Sequence, residues 1–94
     1  SRDGIVIVNA PINKHSGAAL SHPSVTSVGF MESSNSPEVL EEVADAVLLE
    51  LKTISQNGTL NSSDFESKIN KSVAAFLFKK TRLRPLIISF PILI

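Results

Sequence analysis

Residues able to carry chemistry are sparse in this 94-residue chain. Its two histidines, His15 and His22, both fall in turn-forming stretches, NKHSG and SHP. The chain has no cysteine, and neither histidine has a carboxylate at ligand spacing. Both therefore read as solvated loop side chains rather than metal ligands. Ser21-His22 and the serines 33, 34, 36, 62 and 63 raise the question of a nucleophile. No G-x-S-x-G elbow is present, and these serines sit where turns and helix caps need them. Glu41, Glu42, Asp45 and Glu50 read as the solvated face of a helix rather than a catalytic pair. Gly4, Gly17, Gly29 and Gly58 form no phosphate-cradling loop. The sequence thus assigns no catalytic, cofactor-binding or metal-ligating residue, and the 94 residues by themselves read as no enzyme.

One cluster could meet a ligand. Lys79, Lys80, Arg82 and Arg84 form a basic collar able to contact phosphates. No aromatic residue is read as interleaving with them for base stacking. Cations at the end of a helix account for the same residues through the helix dipole. The charge distribution repeats this polarity. Residues 1–63 hold three basic and seven acidic residues, a net −4, and residues 64–94 hold six basic and two acidic, a net +4. The formal total is zero, which argues against an avid free-standing nucleic-acid binder. Tyr and Trp are absent, which removes two common anchors of binding hot spots.

The elements that would position these residues follow from hydrophobic periodicity. Gly4 to Ile12 contains the β-branched run Ile5 to Val8 and reads as a strand, with Pro11 near its end. Asn13 to Gly17 is hairpin-loop chemistry. Ala18 to Leu20 begins a return strand, Ser21-His22-Pro23 bends or bulges it, and Val25 to Phe30 resumes it. Residues 32–36 read as a loop, with Ser36 as an N-cap and Pro37 in the first helical position. Apolar residues then recur at Val39, Leu40, Val43, Ala44, Val47, Leu48, Leu51 and Ile54, a helical stripe ended by Asn57-Gly58. A second helix opens on a capping box, Ser63 with Glu66. Phe65, Ile69, Val73, Phe76 and Leu77 form its stripe. Pro85 forces extended chain before it, and Leu86 to Ile94 is the last strand. The expected fold is α+β, ordered β-β-α-α-β: a three-stranded mixed sheet with two helices on one face.

That architecture leaves apolar surface over. The first and last strands are apolar on both faces, as in sheets covered on both sides. Two helices cover one face only. Ile5, Ile7, Leu86, Ile88, Phe90, Ile92 and Ile94 are the candidates for an interface with another domain or another copy. The alternative is that residues 22–30 fold over the second face. The terminal apolar run is about nine residues and far short of the roughly 20 needed for a membrane span. The chain opens without Met and ends on Ile-Leu-Ile, so it is expected to be one domain, 1–94, from a larger protein.

Three stretches taken together resemble the C-terminal domain of ribonuclease J, a bacterial RNA-degrading enzyme of the metallo-β-lactamase superfamily with a β-CASP insertion. DGIVIV resembles the family's opening strand. HSGAALSHPSVTSVGF resembles its hairpin followed by a GP-x-x-x-SRGF-like stretch. Ser27, Gly29 and Phe30 match there, with His22 in place of Gly and Val28 in place of Arg. FLFKKTRLRPLII resembles FLYEKTKRRPMIL. Phe76, Leu77, Lys80, Thr81, Arg84 and Pro85 match, with Phe78 in place of Tyr and Leu83 in place of Arg. The resemblance implies a cytoplasmic parent hydrolase that cuts RNA endonucleolytically and degrades it 5′ to 3′. It implies zinc in that parent, held by motifs absent here, and no cofactor in this fragment. It further implies a non-catalytic domain that supports dimer or tetramer assembly and full activity. Its partners would be itself and the catalytic domain, with RNA reached through the parent. An accessory RNA-contact module using the basic collar is the alternative.

Overall fold

In the computed structural model, residues 3–29, 37–56 and 62–94 are described. The elements are β1 (Ile5–Ile12), β2 (Ser24–Val28), α1 (Pro37–Gln56), α2 (Ser62–Thr81) and β3 (Leu86–Leu93). The order is the β-β-α-α-β read from periodicity. The sheet order is β2-β1-β3. β1 pairs antiparallel with β2 and parallel with β3, so the sheet is mixed. A parallel neighbour requires a long crossover, and α1 and α2 supply it.

β1 is central because its sequence suits burial from both edges. Its even residues Val6, Val8, Ala10 and Ile12 are fully buried. They face Val43, Val47, Leu51 and Ile54 of α1 and Phe65, Ile69, Val73 and Leu77 of α2, which complete one core cluster. These helical positions are the 3.6-period stripes of the two helices, so both helices do pack on one face. Among the described residues every buried side-chain nitrogen or oxygen has a hydrogen-bond partner. The polar side chain in that layer, Ser89, is buried and donates its hydroxyl to Asn70 Oδ1 on α2.

The β1–β2 connection carries the expected irregularity. Asn13 Oδ1 accepts from the backbone N–H groups of His15 (2.8 Å) and Ser16 (2.9 Å), an Asx-type turn. Gly17 follows with φ of +77°, a conformation natural to glycine. Ala19 bridges Ile12, and regular pairing resumes at Asn9 with Ser24. Between these two pairs β1 has residues 10 and 11, whereas the return strand has residues 20–23. The two extra residues form the bulge expected at Ser21-His22-Pro23. Residues 24–28 then lie in the plane of the sheet. The alternative that residues 22–30 cover its second face is therefore corrected over residues 22–29; Phe30 lies outside the described residues.

The start of α2 is a second correction. The helix includes Ser62 and Ser63, so Ser63 is a helical residue rather than the N-cap of a capping box. The Ser36 cap and the Asn57-Gly58 stop lie outside the described residues. At its other end α2 stops by a device not visible in composition. Arg82 takes a left-handed conformation, φ +64°, and its N–H donates to the Phe78 carbonyl at 2.8 Å. This is an αL cap with arginine where glycine is usual. Thr81 Oγ1 donates to the Leu77 carbonyl (2.7 Å) and accepts from the Leu83 N–H (3.1 Å). Leu83 and Arg84 are then non-helical before Pro85, as the proline requires. The Arg84 N–H donates to Asp3 Oδ2 at 2.7 Å, fastening the start of β3 beside the start of β1.

Candidate interaction surface

The side of the sheet away from the helices is built by strand alternation. Residues paired across neighbouring strands share a face. The registers Ile5 with Val28 and Leu86, and Ile7 with Thr26 and Ile88, place these side chains in two rows. Asn9 with Ser24 and Phe90, and Pro11 with Ile92, continue them. Ile94 extends the set, since its N–H donates to the Ile12 carbonyl and its own carbonyl accepts from Lys14. No residue in these rows is charged.

All seven sequence-derived interface candidates lie on this one face. Ile5 and Ile7 are half-buried between their neighbours. On β3, Leu86, Ile88, Phe90 and Ile92 are each between 42% and 49% exposed, and Ile94 is 62% exposed. Val28, also 62% exposed, belongs to the same face and is not among the candidates. Its signal was its two-residue spacing from Ser24 and Thr26, once the register to Ile5 is known. The four β3 side chains, and Ile94 just beyond the strand, retain about half of their burial still to be gained. At roughly 1.5–3 kcal/mol per fully buried side chain, covering them would contribute about 4–8 kcal/mol before association costs.

The edges of the sheet are less suited to a partner. The N–H of Leu86 donates to Gly4, and both backbone groups of Ile94 are turned to β1. By alternation the even residues of β3 bond β1, and the odd ones point their N–H and C=O outward. Pro91 is odd. It therefore removes a donor from the middle of the outer edge, a common protection against strand addition. The opposite edge, β2, is five residues long.

The basic collar is split between different tasks. Lys80 Nζ pairs with Glu42 on α1. Lys79 is exposed in the last turn of α2. Arg82 and Arg84 both stack on the Phe78 ring, with guanidinium carbons 5.4 and 4.3 Å from its centroid. An aromatic residue does therefore stand among the basic ones, which corrects the sequence reading. Helical spacing carried that signal, because Phe78 is one turn before Arg82. Phe78, Arg84, Pro85 and two alanines, Ala74 and Ala75, line a hollow of about 310 Å³.

The acidic face of α1 is also more than solvated. Glu42 meets Lys80, and Glu41 meets His22 at 2.8 Å. A groove of about 480 Å³ between the helices is lined by Glu50, Thr53, Lys68, Lys71 and Ser72 among others, without a nucleophile–base pair. No helix among the described residues is long and apolar enough to cross a membrane.

The family model of the ribonuclease J C-terminal domain matches residues 1–94, the whole chain. This chain belongs to that family. The ribonuclease J C-terminal domain is thus seen here as a three-stranded sheet with one face packed by two helices and one left open.

Proposed function

We propose that this domain is a non-catalytic assembly module of a ribonuclease J, and that the open sheet face is its contact surface. The observation that carries the reading is an open face without charge, apolar along β3 and at Ile5, Ile7 and Pro11 of β1, with Val28 of β2 beside them. Patches of this kind on soluble domains mark interaction sites. The blunted β3 edge favours packing face to face over strand addition. Residues 1–94 would form one C-terminal domain of a cytoplasmic hydrolase. Self-association to a dimer or tetramer, and contact with the catalytic part, would support full RNA-degrading activity. The zinc of that enzyme would be held by the catalytic part, as would its endonucleolytic and 5′-to-3′ exonucleolytic chemistry.

Deleting these 94 residues from the enzyme should lower its oligomeric state in light scattering and reduce its RNA turnover. An enzyme of unchanged size after deletion, together with a strictly monomeric 94-residue chain, would sink the proposal. A second reading rests on Phe78. An aromatic ring beside two arginines and a hollow suits contact with an RNA strand. Against it, Lys80 is engaged by Glu42, and Phe78 is already covered by the guanidinium groups. This reading expects the combined change K79A, R82A and R84A to weaken RNA binding and flatten its salt dependence. Unchanged values would reject it.

A further inference from the structure

We propose that His22, Glu41 and Asp45 form a binding site for one zinc ion, clamping the β1–β2 connection onto α1. Three donors from two elements converge at one point. His22 Nε2 lies 2.8 Å from Glu41 Oε1 and 3.6 Å from Asp45 Oδ1. One ligand atom from each residue falls within 4.8 Å of the other two. Zinc bonds of about 2.0–2.2 Å in a tetrahedron place ligand atoms roughly 3.3–3.5 Å apart. The His22 distances straddle that spacing, so side-chain adjustments of a few tenths of an ångström toward an ion would suffice for them.

The chemistry of the trio suits a cation. A neutral imidazole has one N–H. That hydrogen serves Glu41 at 2.8 Å and is too far from Asp45 for a hydrogen bond. Among the described residues Glu41 and Asp45 have no cationic partner besides His22. Glu38 precedes them by one turn, and the nearby Lys80 is held by Glu42. Two like charges at i and i+4 repel along a helix. A divalent cation would neutralise both carboxylates and take the imidazole lone pair in place of the proton. Imidazole with carboxylate selects zinc over magnesium or calcium, which favour all-oxygen sets. Water would fill the remaining coordination.

The donors are also held in place. Glu41 and Asp45 lie on one face of a 20-residue helix. His22 sits in the four-against-two bulge and precedes Pro23, which is buried and restricts the backbone before it. The bulge is what carries His22 out of the sheet to α1. The arrangement is thus made by tertiary structure, from residues 19 or more apart in sequence.

Calorimetric titration of the 94-residue chain with zinc chloride should show one ion per chain. The ring signals of His22 in NMR should shift while those of His15 stay in place. The variants H22A, E41Q and D45N, all at exposed positions, should each lower zinc affinity about tenfold or more, and H15A should leave it unchanged. By linkage, zinc should raise the thermal midpoint of the wild type but not of H22A; magnesium at equal concentration should do neither. No saturable zinc binding up to about 1 mM, or binding that survives in H22A, would overturn the proposal. Circular dichroism of each variant separates loss of the site from loss of the fold.

Discussion

The two faces of one sheet have nearly the same composition and opposite fates. On the helix side, Val6, Val8, Ala10 and Ile12 are completely buried under two 20-residue amphipathic helices, about eleven turns. On the other side, Ile88, Phe90 and Ile92, equally apolar, keep more than 40% of their surface in water. Propensity alone does not distinguish these residues, since all are good strand formers. The difference lies in what covers them. The helix face is satisfied within the chain and specifies the fold. The open face is held in place by that fold while contributing little to it, which leaves its side chains free to serve contact with a neighbour.

This contrast can be broken or sharpened by substitution. The largest effect is expected on the covered side. Phe65→Ala removes the largest fully buried side chain and should cost about 3–5 kcal/mol in urea unfolding. The matching change on the open side, Ile88→Ala, should cost the monomer under about 1.5 kcal/mol, because half of that side chain is already in water. Equal losses at the two positions would erase the distinction between the faces. Next comes Ser89→Ala, which leaves Asn70 Oδ1 without its donor and should cost about 1–2 kcal/mol. A smaller effect is expected where α2 ends. Arg82→Gly relieves the left-handed strain but loses a cation–π contact. Its net effect should lie between neutral and about 1 kcal/mol of stabilisation. Least of all, Lys80→Ala breaks an exposed pair with Glu42 and should change stability by less than about 1 kcal/mol.

Periodicity made much of this legible before any coordinates. The β-branched run from Ile5 and the 3.6-period stripes ending at Ile54 and Leu77 mark elements whose signals are local. The uncovered face was also readable, because the first and last strands are apolar on both faces and two helices can cover only one. What stayed hidden depends on distant residues. Ser89 interrupts an apolar run, and its partner Asn70 is supplied by a helix 19 residues earlier. His22 looks like a loop residue until the bulge turns it to Glu41 and Asp45. Arg82 carries a left-handed cap that composition assigns to glycine, and the Phe78 ring beneath it goes with that choice. The direction in which Pro91 faces required the register with β1, since a one-residue slip would turn it inward.

The claim that the open face is an interface is tested most directly by light scattering of the 94-residue chain over a range of concentrations, comparing the wild type with I88K/F90K. Lysines at these half-exposed positions should leave the chain folded, with a lower unfolding midpoint. The account predicts that the wild type associates as concentration rises and that the double variant remains monomeric. A wild type and variant that associate equally, both still folded, would contradict it.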